Sequence, residues 1–318
     1  MTPPLDDILD RVYVVALPMR VRFRGITVRE VALIDGPEGW GEFGAFGEYE
    51  APEAAHWLAA ALESAYCEPP QPRRDRIPIN ATVPAVEAER VPEVLARFPG
   101  ARTAKVKVAE PGQTLADDVA RVEAVRALIP TVRVDANGGW TLDQAVEAAK
   151  ALGALEYLEQ PCATVAELAE LRRRIDTPVA ADESIRKAAD PLAVTKAGAA
   201  DIAVLKVAPL GGISSLVTIA DQIGIPVVVS SAIDSAVGIA TGLRAAAALP
   251  ELQHACGLGT GSLFVDDIAE TPAPEDGYLP VGPVAPDPAR LHALAASPQR
   301  RNWWIDRVRT CHRLLADR

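Results

Sequence analysis

The chain has 318 residues, 49% of them hydrophobic, which is too long for one small core and suits two domains or one large α/β barrel with an appendage. Charged residues make up 24% and aromatics 5%, and the net charge of −11 argues against a nucleic-acid partner, since no basic face is legible.

Residues 1–76 read as a small α+β unit. Short β-rich runs at Val12–Leu17 and Thr27–Ile34 precede a glycine-rich stretch, Gly39–Gly47, and an alanine-rich helix, Pro52–Tyr66. The unit closes with the proline- and arginine-rich linker Pro69–Arg76, where a helix cannot continue. From Ile77 the rhythm becomes strand, helix, strand. Apolar or β-branched runs fall at Ile77–Val83, Thr103–Val108, Val132–Ala136, Leu155–Glu159, Val179–Ala181, Ile202–Val207, Pro226–Ser230 and Ala255–Leu258. Between them, Leu115–Leu128, Leu142–Leu152 and Val165–Ile175 have helical spacing, each preceded by a capping threonine: Thr114, Thr141 and Thr164. Eight strands with intervening helices predict a parallel barrel over residues 77–288. The connection Gly259–Pro288 does not read as a standard eighth helix, and residues 289–318, with Trp303 and Trp304, are expected to pack back on the N-terminal unit.

Charged residues fall at the ends of these apolar runs. Lys105 and Lys107 lie in AKVKV, Asp135 ends VRVD, Glu159 ends LEYLE, Asp182 follows VAA, and Lys206 closes DIAVLK. The spacing, close to one βα unit per step, delivers one charge per unit to the C-terminal face of a barrel, where active sites of this architecture gather. Charges so placed are costly unless paired or bound to a metal. Asp135, Glu159 and Asp182 form an all-oxygen set that suits Mg²⁺, or Mn²⁺ as a substitute, rather than zinc. The plainer alternative makes the carboxylates helix caps or surface groups. Lys105 and Lys107, two apart, share a strand face, where mutual repulsion lowers an amine pKa and allows a base on a carbon acid. Lys206 would stand across the barrel from Lys107. Surface lysines with stems on apolar neighbours are the competing reading.

The ordered motifs KxK (Lys105, Lys107), DAN (Asp135, Asn137), EQP (Glu159, Gln160, Pro161), ADES (Asp182, Glu183, Ser184) and Lys206 resemble the muconate-lactonising-enzyme subgroup of the enolase superfamily over most of the chain. The resemblance implies a modified (β/α)₇β TIM barrel, with an N-terminal α+β capping domain completed by the C-terminal segment. It also implies a Mg²⁺ site at Asp135, Glu159 and Asp182, with Lys107 as base, Lys206 opposite and Lys105 tuning Lys107.

Within the subgroup the chain is most similar to actinobacterial-type o-succinylbenzoate synthases. It is short, Phe23–Glu30 resembles their substrate-entrance stretch, and the position of the dipeptide epimerases' DxD motif reads GLGTG (Gly257–Gly261). The resemblance then implies a small-molecule carboxylate substrate and dehydration of 2-succinyl-6-hydroxy-2,4-cyclohexadiene-1-carboxylate through an enediolate. N-acylamino-acid racemase, dipeptide epimerase and muconate-type cycloisomerase are alternatives on the same scaffold. A metal-free Schiff-base lyase at Lys206, or a binding barrel without catalysis, is the alternative of another class.

Ser230, Ser231, Gly257 and Leu258 would form a rim of hydroxyls and backbone N–H groups for a succinyl carboxylate; alternatively the serines cap the next helix. Arg133 shares the face of Asp135 and would touch substrate, or be buried against a carboxylate. Gly44–Tyr49 reads as a mobile lid or a plain loop. His254 reads as structural, and the absence of a histidine at a strand end argues against the mandelate-racemase subgroup. Four separated cysteines, no basic-then-apolar leader and no apolar run of membrane-spanning length predict a cytoplasmic protein without a membrane partner. The sequence does not set the oligomeric state.

Overall fold

The structure is a computed structural model that describes residues 2–23, 25–186, 190–270 and 272–316. A short helix α1 (Leu5–Leu9) leads into an antiparallel meander, β1 (Val12–Phe23), β2 (Ile26–Gly36) and β3 (Gly39–Phe43). The β1–β2 ladder runs in register from Val12–Ile34 to Pro18–Val28 and shifts beyond Pro18, which has no N–H to donate. The sequence did not predict β3, because its glycines look like loop. They are there for close approach to helix α2 (Ala51–Tyr66). A Cβ at Gly41 would lie 1.9 Å from Ala61 O, and one at Gly36 2.1 Å from Ala65 O.

The predicted strand Ile77–Val83 is split. β4 (Arg76–Pro78) pairs antiparallel with a late strand, Tyr278–Pro280, while β5 (Ala81–Val83) enters a parallel sheet. That sheet continues, with helices between strands, through α3 (Val91–Leu95), β6 (Thr103–Lys107), α4 (Leu115–Arg126), β7 (Thr131–Asp135), α5 (Leu142–Leu152), β8 (Leu158–Glu159), α6 (Val165–Arg172) and β9 (Val179–Ala181). It is completed by α7 (Glu183–Arg186), α8 (Ala193–Lys196), β10 (Ile202–Lys206), α9 (Val207–Leu210), α10 (Ile213–Ile223), β11 (Val227–Ser230) and α11 (Ala236–Ala248). The strands lie side by side in chain order, β5 to β11. Thr114, Thr141 and Thr164 each close a capping box, with Asp117, Gln144 and Glu167, at the starts of α4, α5 and α6.

The expected eighth strand shrinks to two residues that seal the ring. Cys256 bridges Ile79 on one side and Gly257 bridges Ser230 on the other. Cys256 N–H donates to Pro78 O at 2.7 Å, and Gly257 N–H to Val229 O at 2.8 Å. Among the described residues after Gly257, no α-helix forms until α12 (Pro288–Ala293); a single 3₁₀ turn at Thr260–Leu263 and strand β12 (Tyr278–Pro280) fill the connection.

The last helix, α13 (Pro298–Ala316), returns to the first unit. Trp304 meets Phe43 edge-on at 5.4 Å and donates to Glu30 at 3.0 Å. One core therefore joins β1–β3, α2 and α13 with Ala232, Ile233, Ala236 and Val237 from the barrel rim. A second core lies between barrel strands and helices, and a small inner layer of Tyr157, Ala180, Ile202, Val204 and Val228 fills the barrel floor. Among the described residues, no helix is long and apolar enough to cross a membrane.

Candidate active site

Parallel register sets the charged residues at one level. Lys107 pairs with Asp135, Asp135 with Glu159, and Lys206 with Ser230 across neighbouring strands, all at C-terminal strand ends. A small cavity opens there, lined by Phe23, Thr82, Lys105, Lys107, Asp135, Asn137, Lys206, residues 230–233, Gly257 and Thr260. Phe23 arrives from the far end of β1, and Lys107 Nζ lies 5.3 Å from its ring centre.

Each buried carboxylate faces an ammonium. Lys105 Nζ donates to both oxygens of Glu159, at 2.8 and 3.0 Å, and lies 3.4 Å from Asp135 Oδ2. Lys107 Nζ donates to Asp135 Oδ2 at 2.5 Å and Asn137 Oδ1 at 2.6 Å. Lys206 Nζ donates to Asp182 Oδ2 at 2.5 Å, while Arg186 Nε holds Asp182 Oδ1 at 3.1 Å and Arg186 Nη1 donates to the Tyr49 hydroxyl at 3.1 Å.

Burial separates the two lysines of KxK. Loss of water lowers the Lys107 pKa, and Lys105 lowers it further against the pull of Asp135. Repulsion is thus the lesser cause, a change of emphasis from the sequence reading. Lys105 itself moves up: burial opposes its charge, but Glu159 and Asp135 more than offset it. Burial, then the Asp135 charge, pushes Glu159 up to about 7 despite Lys105. Burial would raise Asp135 and Asp182 as well, yet their lysine partners hold both below the usual carboxylate range.

Backbone strain collects on the same rim. Ala109, Asn137, Gln160 and Ile233, each just beyond a barrel strand, have φ of 59°, 47°, 38° and 60°. Gln160 joins its own turn to the segment after β9: its Oε1 accepts from the N–H groups of Asp182 (3.0 Å) and Ser184 (3.1 Å), and its Nε2 donates to Cys162 O at 2.9 Å.

Residues 87–287 match the family model described as Enolase C-terminal domain-like, and residues 14–65 match the one described as Enolase N-terminal domain-like. The chain belongs to the enolase superfamily. Its relatives include the o-succinylbenzoate synthase of Mycobacterium tuberculosis (strain ATCC 25618 / H37Rv), 74% identical over 316 residues, covering 98% of this chain and 97% of the relative. That of Mycolicibacterium smegmatis is 75% identical and covers 98% of each chain. Among solved structures, muconate lactonizing enzyme from Pseudomonas fluorescens complexed with muconolactone aligns with a TM-score of 0.77 at 21% identity, covering 90% of this chain and 98% of that one. Muconate lactonizing enzyme from Pseudomonas putida gives 0.73 at 20% identity, with 90% and 98% covered. At such identities the likeness concerns the fold alone.

Set against this enolase-superfamily frame, the expected site residues divide. Lys105, Lys107, Lys206 and Asp135 line one cavity with Ser230, Ser231 and Gly257, while Glu159 and Asp182 adjoin it through their lysine partners. The serines do not cap α11; Ser235 does. Ser231 Oγ donates to Gly257 O at 2.8 Å and lies 2.7 Å from Thr260 Oγ1.

Three expectations are corrected. Arg133 is 0% exposed one layer below the cavity, donating to Glu156 Oε2 (2.8 Å), the Tyr157 hydroxyl (2.7 Å) and Ala255 O (2.9 Å), and does not line the cavity. Glu156 also takes His254 Nδ1 at 2.8 Å, so that histidine is structural. The Leu258 side chain packs in the barrel core and does not line the cavity, and the Gly257 N–H is already spent on Val229 O at 2.8 Å. Gly44–Tyr49 is no free lid: Arg307 Nη2 donates to Phe46 O and Tyr49 O at 2.8 and 2.7 Å, and Phe46, Tyr49 and Trp57 stack within 6 Å of one another.

Among the described residues, the side chains as they stand form no group of three carboxylates gathered to clasp one metal ion. Each of the three carboxylates instead meets a lysine ammonium. The donors fit a hard divalent cation: they are buried carboxylate oxygens at the C-terminal ends of three adjacent strands, and the nearby Asp135 charge adds to burial in raising Glu159. Sequence reasoning missed Thr82 and Thr260 in the cavity wall, and Arg186 with Tyr49 behind Asp182. The hydroxyls sit on no periodic pattern, whereas Arg186, four residues after Asp182 and three after Glu183, carried a helical-spacing signal that went unread.

Proposed function

We propose that this chain is an o-succinylbenzoate synthase, a lyase that dehydrates 2-succinyl-6-hydroxy-2,4-cyclohexadiene-1-carboxylate to 2-succinylbenzoate in menaquinone biosynthesis. The observation that carries the reading is 74–75% identity over nearly the whole length of relatives bearing that name. The site chemistry supports it. With Lys107 neutral as the base, Lys105, Lys206 and Arg186 face Asp135, Glu159 and Asp182, so a bound divalent cation would leave the site positive, which suits a dicarboxylate substrate.

Asp135, Glu159 and Asp182 would hold that cation, Mg²⁺ with Mn²⁺ as substitute. When bound, it supplies positive charge beside the substrate carboxylate as the neighbouring carbon loses its proton. The neutral amine of Lys107 takes that proton, and the electron pair passes into the carboxylate as an enediolate. The Lys206 ammonium lines the same cavity and stabilises the developing charge. Lys107, now an ammonium, returns the proton to the departing hydroxyl; the C–O bond breaks, water leaves and the ring becomes aromatic. Lys105, held charged by its carboxylates, orients Glu159 and Asp135. Ser230 and Ser231 face the succinyl arm. The four cysteines are free thiols, which suits a reducing compartment, and we place the activity in the cytoplasm.

Lys107 and Lys206 on one cavity also favour a second reading, racemisation of N-acylamino acids. A Schiff-base role for Lys206 is less well supported, because its nitrogen is committed to Asp182 at 2.5 Å. The test is to supply the cyclohexadiene dicarboxylate with magnesium and follow formation of 2-succinylbenzoate. Deuterium exchange into an N-acylamino acid without any aromatic product would select the second reading instead.

A further inference from the structure

One cavity wall is the turn between β11 and α11, which contributes Ser231, Ala232 and Ile233. Ile233 sits there at φ 60°, a left-handed conformation that a β-branched residue adopts only when its surroundings impose it. Within the turn, Asp234 Oδ2 accepts from Ala232 N–H at 3.1 Å. Barrel residues hold it too, since Ser231 N–H donates to Gly257 O at 3.1 Å and Ala236 N–H to Asp267 Oδ2 at 3.0 Å, and further restraints come from the N-terminal unit. Arg29 Nε donates to Ile233 O at 3.1 Å, and its Nη2 donates to Gly44 O. Glu42 Oε2 accepts from Ser235 N–H at 3.0 Å, from the Ser235 hydroxyl and from Gly238 N–H at 3.2 Å. The first turn of α11 is therefore tied by a carboxylate lying far away in sequence.

The fit is tight enough to require a glycine. A Cβ on Gly238 would come within 2.6 Å of Asp234 Cβ and 3.0 Å of the Glu42 carboxylate. Arg29 and Glu42 are both buried and neither lines the cavity of the lysines. They touch the wall from behind, on the side away from the lysines.

We propose that Glu42 and Arg29 are positioning residues: from the N-terminal unit they hold the strained 231–235 turn against the substrate's succinyl arm and so set substrate affinity. The proposal rests on the o-succinylbenzoate synthase reading. It differs from a merely stabilising contact by predicting a loss in KM rather than in kcat, because the wall binds the remote arm while the lysines perform the chemistry.

The experiment is steady-state dehydration of the cyclohexadiene dicarboxylate with magnesium, using the full chain as wild type, Glu42→Gln and Glu42→Ala. Glu42→Ala is expected to raise KM about 10-fold with kcat within about 3-fold, and Glu42→Gln, which retains a carbonyl acceptor, to return KM to within about 3-fold of wild type. An unchanged KM in folded Glu42→Ala, or a kcat that falls as far as kcat/KM, overturns the proposal. Should Glu42→Ala not fold, Ser235→Ala carries the test, since it removes one donor and leaves the buried carboxylate in place. A KM raised about 3-fold supports the positioning role, and an unchanged KM overturns it. A wild-type chain that turns over none of this substrate overturns the functional reading itself, and the proposal with it.

Discussion

Replacing Lys107 with alanine should remove catalysis while sparing the fold, and the structure sets both magnitudes. Lys107 is assigned two tasks, taking the ring proton and returning it to the departing hydroxyl. General acid–base groups are worth about 10²–10⁴-fold each, so a residue serving both steps should cost about 10⁴-fold in kcat, or about 5.4 kcal/mol at 1.36 kcal/mol per tenfold. Asp135 would lose its 2.5 Å partner but keep Lys105 at 3.4 Å and the Asn137 N–H at 3.0 Å. The carboxylate is not orphaned, and the loss of stability should be about 1–2 kcal/mol rather than the 3–5 typical of a stranded buried charge.

Lys107→Arg separates charge from basicity. It preserves a positive group, yet a guanidinium yields no neutral base near pH 7, so it should be as inactive as Lys107→Ala. The assay is ultraviolet detection of the aromatic product, with magnesium binding by titration calorimetry and unfolding by urea as controls. Either variant turning over within tenfold of wild type would refute the assignment of Lys107 as the base.

Chelation with EDTA should abolish turnover, and magnesium, then manganese, should restore it; full activity in excess chelator would remove the cation from the mechanism. Because burial lowers the Lys107 pKa and only the neutral amine accepts a proton, kcat/KM should fall as the pH drops through that pKa and level off above it. A pH–rate profile that rises on acidification contradicts this. Arg133→Met should cost about 3 kcal/mol in urea unfolding, since Glu156 loses a buried partner, yet leave KM within about 2-fold. A large rise in KM with unchanged stability would return Arg133 to the substrate. Gly257→Ala places a Cβ 2.4 Å from Ser230 Oγ and should raise KM about 10-fold by turning that serine; an unaltered KM would remove Ser230 from the binding wall.

The charged ring was legible because barrel geometry converts even sequence spacing into a shared level. One residue per βα unit, placed at the end of an apolar run, must arrive on the same face. Depth was less legible. Arg133 and Asp135 share a strand face, and alternation alone cannot say that the lower one points into the floor beside Tyr157. Glycine misled in two directions: Gly41 looked like loop but permits a strand to touch α2, while Gly44 opened a stretch read as a mobile lid or plain loop and is clasped by Arg29. The ties of Glu42 to Ser235 and of Tyr49 to Arg186 join residues far apart in the chain, and no local pattern announces such partners. The three threonine caps, each followed three residues later by Asp, Gln or Glu, were readable because their physics is confined to a single turn.

The packing of Trp304, Ile305 and Val308 into the core of β1–β3 has a consequence for which part of the fold gives way first. The meander is covered by two helices at very different distances along the chain: α2 follows it directly, while α13 comes after the whole barrel. The core of the N-terminal unit is therefore closed by contacts of very long sequence separation, the kind that cost most loop entropy to form. Losing α13 would cost Phe43 its edge contact with Trp304 and Glu30 its indole donor, while α2 would still lie on the sheet, so trimming that helix should loosen the N-terminal unit before the barrel.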